Sequence, residues 1–447
     1  MIKRASNIKC IYSLRNSMKR ALKEQPGMSV AFEWRESLRN KESVIRARSN
    51  YNKNCRISRN SCGLVVVVFI VQYIPAWNKM ESVYRSMTKD DRFKTYILCV
   101  PNDRSCSPCN NDVYKWFVDR GYKCINSKNE DGSWFELQKL APEYVFFGRP
   151  YNVFMPRPYK SWNVGRYAKI CDFLYGFVFS ETDMATLINK DFFNDCYTYY
   201  ACSVDDYRFF WSKIKHSHYQ RVKFFGYPGL TNVVEKKSNH GNGAWKSEHK
   251  EYRVIWTPRW STDSVVGGSN FLNYKDDFLK YANDNNDELI IRPHPLAFDN
   301  FVKKGQMTAQ QVELYRAKCN SMSNVILDEG PEYLDSFWNA DVLVTDVSSL
   351  VFEFFVTGKP LVFCEADSMF NKDYTSTMRE ILSASYIAKS FKEVEQYLKM
   401  LKQGVDPLKE DRDGIIKKVW GSKLELCPWF ILEDLWNDSF SSLWKLT

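Results

Sequence analysis

No apolar run in the sequence approaches the roughly 20 residues that a membrane-spanning helix needs. The longest candidate, Gly63 to Val71, is rich in valine. It fits a strand buried on both faces of a parallel sheet instead. Residues Met1 to Cys10 carry Lys3, Arg4 and Lys9 with no apolar stretch behind them, so no secretion signal is expected there. The 13 cysteines form no framework, and the lone pair Cys106-Ser107-Pro108-Cys109 has no second pair at metal-ligand spacing. Reduced thiols in a cytosol are the expectation, not disulfides or zinc. There is no fixed-period repeat and no low-complexity tract. Histidine is scarce, at five residues, so the position of each one is informative. No paired carboxylates or His/Cys cluster are spaced for a metal, and no cofactor is implied.

Aromatic residues are abundant: 30 Phe, 26 Tyr and 14 Trp, enough for sizeable cores in a chain of 447 residues. That length suggests two domains with extensions. The net charge of +10 is concentrated at one end. Residues 1–62 hold 15 Lys and Arg against four Glu, and the remaining 48 basic and 49 acidic residues nearly cancel. A neutral body argues against nucleic-acid binding, which needs positive charge spread over a folded face. The basic extension 1–62 suits an anionic membrane surface or a solvated tail. It shows no long apolar face for insertion, so any membrane contact is expected to be electrostatic and peripheral, on the inner face of the cell membrane.

After the extension, strand and helix patterns alternate. Strands are expected at 64–71, 95–100 and 144–147, with helices near 77–87 and 111–120, the latter ending at Gly121. Residues 235–251 have a linker composition. A second alternating block follows, with strands at 253–257, 288–292, 341–345 and 361–364. Its helices are expected at 271–283 and 331–339, with a short one after Ser349. Alternating units of this kind build parallel, doubly wound α/β sheets. The domains are set at 63–234 and 250–424, with an aromatic helical closing segment at 425–447. Two Rossmann-like domains facing a cleft resemble the GT-B architecture, in which the last helix commonly crosses back to the first domain.

Three segments at expected strand ends carry chemistry. Asp341-Val342-Leu343-Val344-Thr345-Asp346-Val347-Ser348-Ser349 is a buried strand, a polar turn and the start of a helix. A helix start offers unpaired N–H groups and about half a positive charge, which suit a diphosphate. Asp346 or Ser348 also fits a plain N-cap. Ile291-Arg292-Pro293-His294-Pro295 places a cation and an imidazole at a strand end, held by two prolines. His294 is placed to hydrogen-bond a phosphoryl oxygen as the nucleotide leaves. Trp256-Thr257-Pro258-Arg259-Trp260, followed by Gly267-Gly268-Ser269-Asn270, forms a plausible phosphate cradle.

In this order, T-P-R-W, R-P-H-P and D-V-L-V-T-D-x-S-S-x-x-x-E-x-x-x-T-G-K-P, the segments resemble the CDP-glycerol:polyglycerophosphate glycerophosphotransferase family of teichoic acid and capsule synthesis. The likeness runs from Arg253 to Cys364, with a looser one at Pro142 to Phe147 and Arg149-Pro150-Tyr151-Asn152. The resemblance implies transfer of glycerol phosphate, or a related alditol phosphate, from CDP-glycerol to a lipid-linked or polymeric acceptor, with release of CMP. It implies that Arg292 and His294 face the diphosphate and that Ser348 and Ser349 bind it. Arg259, Gly268, Ser269 and Asp346 would belong to the same cradle. Glu353 becomes a candidate for the ribose hydroxyls, and Lys359 reads as a solvated charge at a helix end. Many members carry a His-Gly pair in the first domain, and the His is taken as the base. Here that loop reads Phe147-Gly148-Arg149-Pro150-Tyr151-Asn152, which leaves Arg149 and Tyr151 as acceptor-side candidates and the base unassigned. The departure keeps a nucleotide-sugar glycosyltransferase as an alternative reading, and a non-catalytic polymer-binding scaffold as a third.

Overall fold

The computed structural model describes residues 28–54, 63–101 and 112–444, except 175, 185–187, 189, 218, 247–251, 264–266 and 367–372. The first sheet contains β1 (Val65–Val71), β2 (Phe93–Cys99), β3 (Cys124–Asn126), β4 (Tyr144–Phe147), β5 (Lys169–Phe173), β6 (Cys196–Tyr200) and β7 (Arg221–Lys223), in the order β3-β2-β1-β4-β5-β6-β7. The second contains β8 (Arg253–Thr257), β9 (Glu288–Ile291), β10 (Val325–Leu327), β11 (Val342–Thr345), β12 (Leu361–Cys364) and β13 (Tyr386–Ala388), in the order β10-β9-β8-β11-β12-β13. Every strand pair is parallel. Both orders reverse direction after the first strand of the sheet, the doubly wound Rossmann-like pattern of a GT-B fold.

The local reasons are in the sequence. All seven residues of β1 are buried, because helices cover both faces of the sheet. Burying each of its Val, Ile or Phe side chains contributes about 1.5–3 kcal/mol. Asp112 caps the helix Val113–Asp119 by accepting from the Lys115 N–H at 2.9 Å, and Gly121 ends it with a positive φ of 76°.

The C-terminal helix, Lys423–Trp444, packs on the first domain, against the helices Asn78–Thr88 and Pro228–Glu235. Its Asp438 accepts from the Tyr144 hydroxyl at 2.5 Å, the Tyr197 hydroxyl at 2.6 Å and the Lys169 ammonium at 2.9 Å. Arg221 lies 3.2 Å away. Burial works against the Asp438 carboxylate, but these partners, Arg221 first, hold its pKa below the usual range. The segment at 236–246 is more tightly held than its linker composition suggests. Trp245 is buried and donates its indole N–H to the Ser336 carbonyl at 3.0 Å.

Residues 28–54 of the basic extension form one helix; residues 1–27 and 55–62 lie outside the described residues. This helix docks on the first domain through Ser43, Ala47 and Asn50, which are buried. Arg46 pairs with Asp195 at 3.2 Å, and Tyr51 stacks on Tyr197 with ring centroids 5.5 Å apart. The opposite face carries exposed Trp34, Leu38 and Ile45. Among the described residues no helix is long and apolar enough to cross a membrane.

Candidate functional site

Ligands of doubly wound sheets bind beyond the carboxyl ends of the strands, where the strand order reverses. In the second sheet that point lies between β8 and β11, which pair in register from Val254–Val342 to Thr257–Thr345. The segments after β8, β9 and β11 therefore meet there, and they hold the three motifs.

Asp346 organises the meeting. Its carboxylate is fully buried and accepts from the Arg259 N–H at 3.0 Å, the Asn270 N–H at 3.0 Å and the Asn270 side-chain amide at 2.9 Å. Burial pushes its pKa up to about 6, and these hydrogen bonds act in the opposite direction. Asp346 thus clamps the loop after β8 to the end of β11. The Ser269 hydroxyl donates to the Arg259 carbonyl at 2.6 Å, and Gly268 turns the loop at a φ of 99°, which a side-chain-bearing residue rarely adopts. Both residues fix the course of the loop after β8. The Arg259 side chain reaches across to donate to the Val347 carbonyl at 2.9 Å.

His294 sits beside this loop, with its backbone N–H donating to the Pro258 carbonyl at 3.4 Å. Its Nδ1 accepts from the Leu296 N–H at 3.1 Å, which places the ring proton on Nε2. The surrounding protein, and then the Arg259 charge, shift its pKa downward. The residue still meets solvent, which moderates the shift. A neutral imidazole with a donor Nε2 results at neutral pH.

After β11, Ser348 accepts from the Leu350 N–H at 3.3 Å, and Ser349 is the N-cap of the helix Leu350–Phe355. The Ser349 side chain makes no capping hydrogen bond. This helix start faces the first domain. A Cβ placed on Gly176 would stand 3.7 Å from the Cβ of Ser349, and Phe177 stacks on Phe352 with centroids 4.2 Å apart. The site therefore lies where the two domains meet.

Two further sequence candidates are engaged within the fold. Glu353 is buried and accepts from the Tyr333 hydroxyl, which also receives the Asn78 side-chain amide of the first domain at 3.3 Å. Burial pushes the Glu353 pKa up to about 7, against the Tyr333 hydrogen bond and the Arg292 charge. Arg292 is fully engaged within its own domain. It pairs with Asp328, donates to the Gly330 carbonyl at 2.7 Å and lies over the Tyr333 ring at 4.9 Å. Its geometry holds Tyr333 and the loop at 328–333. Lys359 is corrected from a solvated charge: it is half-buried and donates to the Ala340 carbonyl at 2.7 Å, closing the end of the helix Leu334–Asn339. Burial lowers its pKa to about 8.

In the first sheet the corresponding reversal lies between β1 and β4. Arg149 follows β4 there, with its guanidinium 4.6 Å from the centre of the Tyr73 ring and 5.3 Å from that of Phe154. Tyr151 packs on Phe154 with centroids 6.0 Å apart. Sequence reasoning missed a charged pair beside them. Asp172 on β5 and Lys79 are both almost completely buried, 3.8 Å apart. Burial pushes Asp172 up to about 7 and Lys79 down. The available signal was an aspartate in the apolar stretch Ile170-Cys171-Asp172-Phe173-Leu174. Among the described residues no group of three or more His, Cys, Asp or Glu is placed to hold a metal ion.

The fold has several solved counterparts. The wall teichoic acid polymerase TagF aligns at 12% identity and a TM-score of 0.56, over 92% of this chain and 99% of that one. The UDP-GlcNAc 2-epimerase of Neisseria meningitidis aligns at 12% identity and 0.52, over 83% and 99%. The UDP complex of S. aureus MnaA aligns at 12% identity and 0.51, over 81% and 94%. At this identity these likenesses establish the fold alone. No curated protein matches the sequence. The profile of the CDP-Glycerol:Poly(glycerophosphate) glycerophosphotransferase family matches residues 181–418, just over half of the chain, including all three second-domain motifs but neither Arg149 nor Tyr151. The chain belongs to the CDP-glycerol:poly(glycerophosphate) glycerophosphotransferase family and is a transferase on a GT-B-like scaffold.

Proposed function

We propose that the protein transfers glycerol phosphate, or a related alditol phosphate, from CDP-glycerol to a hydroxyl of a lipid-linked or polymeric acceptor. The observation that carries this reading is the convergence of His294, Arg259 and the Ser348–Ser349 helix start at the β8/β11 reversal, facing the first domain. The helix-start N–H groups and the two serine hydroxyls would hold the diphosphate. His294 Nε2–H and the Arg259 charge would stabilise the oxygen that leaves with CMP. Glu353 would take a ribose hydroxyl, positioned by Tyr333 and Arg292. The acceptor oxygen bonds to the β-phosphorus, the bond from that phosphorus to the bridging oxygen breaks, and CMP departs with the electron pair. The hydroxyl proton passes to a base on the acceptor side or to solvent. Catalysis in this account is positioning and charge neutralisation. Arg149 and Tyr151, at the first-domain reversal, are the acceptor-side candidates. A TagF variant soaked with CDPG shares the fold, which supports this choice of nucleotide. The acceptor would be met at the inner face of the cell membrane.

The test is incubation of the purified protein with CDP-glycerol and a lipid-linked glycerol phosphate primer, with release of CMP as the expected result. Folded protein that releases no CMP would contradict the proposal. The loop Phe147-Gly148-Arg149, without a histidine, favours a second reading as a nucleotide-sugar glycosyltransferase. A thermal-shift panel separates the two, because a bound nucleotide raises stability by mass action. CDP-glycerol or CDP-ribitol should stabilise the protein more than UDP-sugars, and the reverse ranking would select the second reading.

A further inference from the structure

The first domain meets the helix start at Ser349 with the segment 176–181. Gly176 lies beside Ser349, and the Phe177 and Phe179 rings pack on Phe352 with centroids 4.2 Å and 5.8 Å away. Further along, the backbones of the two domains join edge to edge. The Glu181 N–H donates to the Asp373 carbonyl at 2.9 Å, the Thr375 N–H donates to the Phe179 carbonyl at 2.7 Å, and Ser180 pairs with Tyr374 in an antiparallel bridge. A first-domain carboxylate fastens this seam. Asp205 lies in the first turn of the helix Val204–Ile214. It accepts from the Ser376 hydroxyl at 2.6 Å, the Thr377 N–H at 2.9 Å and the Thr377 hydroxyl at 2.8 Å. Those groups open the second-domain helix Ser376–Ser383. Asp205 therefore serves two helix N-termini at once, one from each domain, and both favour a negative charge. Its neighbour Asp206 turns the other way and accepts from the Ser203 N–H of its own domain at 3.1 Å. Burial works against the Asp205 carboxylate, but the donors of Ser376 and Thr377 hold its pKa below the usual range.

The consequence is steric. A Cβ on Gly176 would stand 3.7 Å from the Cβ of Ser349, an ordinary contact, so first-domain backbone borders the helix start. A longer side chain at 176 would occupy space beside that start. We propose that Asp205 is a positioning residue for nucleotide binding: its cap across the domain junction holds the segment 176–181 beside Ser349 and so sets the room left there for a nucleoside diphosphate. Asp205 itself touches no ligand. It is half-buried, so parting the domains would hand its carboxylate and the first N–H groups of the helix Ser376–Ser383 to water. A contact of this kind can be made and broken at modest cost, unlike the almost fully buried pair of Lys79 and Asp172. The inference rests on the proposed reading of the Ser349 helix start as the diphosphate site, and it adds a wall from the first domain to that site.

The experiment measures CDP-glycerol affinity by calorimetry, and CMP release with a lipid-linked glycerol phosphate primer, on the full-length protein. Asp205→Ala should raise both the Kd and the KM for CDP-glycerol about fivefold or more, with a smaller change in the KM for primer. Asp205→Asn keeps an acceptor oxygen for Thr377 and should recover much of the loss. Gly176→Val should weaken nucleotide binding the most, by about 50-fold, in a protein that still folds. Adding Asp205→Ala to Gly176→Val releases the segment and should restore part of the affinity. The same substitution would thus harm the wild type and help the crowded variant, a coupling that a purely structural cap does not produce. A lower melting temperature in Asp205→Ala with Kd and KM unchanged would overturn the proposal. So would full nucleotide affinity in Gly176→Val, or a double variant that binds no better than Gly176→Val. Asp205→Asn and Gly176→Val decide the question if Asp205→Ala does not fold. A wild type that binds neither CDP-glycerol nor a UDP-sugar would overturn the reading of the site itself, and the inference with it.

Discussion

The two sheets share one strand order and end in different chemistry. At the reversal of the second sheet, polar groups are braced from behind and turned toward the domain junction. Asp346 ties down the loop after β8, the Ser349 side chain makes no capping hydrogen bond, and His294 is held through Nδ1. At the reversal of the first sheet, charge is turned inward. Lys79 and Asp172 face each other with almost no exposure, and Arg149 lies over aromatic rings. In the reading proposed above, the same topology serves ligand capture in the second domain, while the first domain buries an ion pair at the matching point. The difference lies in where each domain places its buried carboxylate. Asp346 is surrounded by backbone N–H and amide donors, so it shapes a loop. Asp172 has an ammonium beside it, so it anchors a side chain.

Substitutions can break or sharpen this contrast. Asp172→Ala should have the largest effect, because it leaves the Lys79 ammonium buried without its carboxylate. A loss of about 3–5 kcal/mol in denaturant unfolding is expected, with nucleotide affinity little changed in the protein that remains folded. A stable variant with weakened nucleotide binding would erase the proposed division of labour. His294→Ala should lower CMP release about 10²–10³-fold with the melting temperature unchanged, and unaltered turnover would remove the imidazole from the mechanism. Asp346→Ala should cost about 1–3 kcal/mol of stability by orphaning the Asn270 donors, and should weaken nucleotide binding as well, measured by calorimetry. If only stability falls, the brace and the cradle are separate. Tyr333→Phe removes one hydrogen bond to Glu353 and the link to Asn78, so a change of about 0.5–1.5 kcal/mol in nucleotide affinity is expected.

Glu353 adds a pH dependence of smaller extent. Its folded pKa, near 7, lies above the ordinary carboxylate value, so the folded state holds the proton more tightly than the unfolded chain. Stability should fall as pH rises from about 4.5 to 7, and Glu353→Gln should flatten that part of the profile. An unchanged slope in the variant would place the titrating group elsewhere.

Strands fully covered by helices were legible in the sequence. The run at Val65–Val71 and the segments Tyr144–Phe147 and Val342–Thr345 carry apolar or β-branched residues throughout, so their pattern announces them. The strands β5 and β7 were not read, because Lys169, Asp172 and Arg221 interrupt the apolar pattern. Those charges are answered far away in the chain: Lys169 and Arg221 by Asp438 on the C-terminal helix, and Asp172 by Lys79. The N-terminal helix hid its outward stripe for a related reason. Its docked face uses Ser43, Ala47 and Asn50, small or polar residues, so no single apolar side stands out. In the site, the three motifs were legible as polar endings of buried strands. Which of their residues are tied down inside the fold was not. Asp346 and Ser269 are occupied by backbone groups, and Arg292 by Asp328 and Gly330. Tyr333 meets Asn78 across 255 positions of sequence, a contact that only the packing of the domains creates.

The most direct test is a co-crystal structure with CDP-glycerol. The diphosphate should lie at the crevice between β8 and β11, within hydrogen-bonding distance of His294 Nε2 and of the helix start at Ser349. A nucleotide bound instead at the β1/β4 reversal beside Arg149, with His294 and Ser349 untouched, would contradict the account.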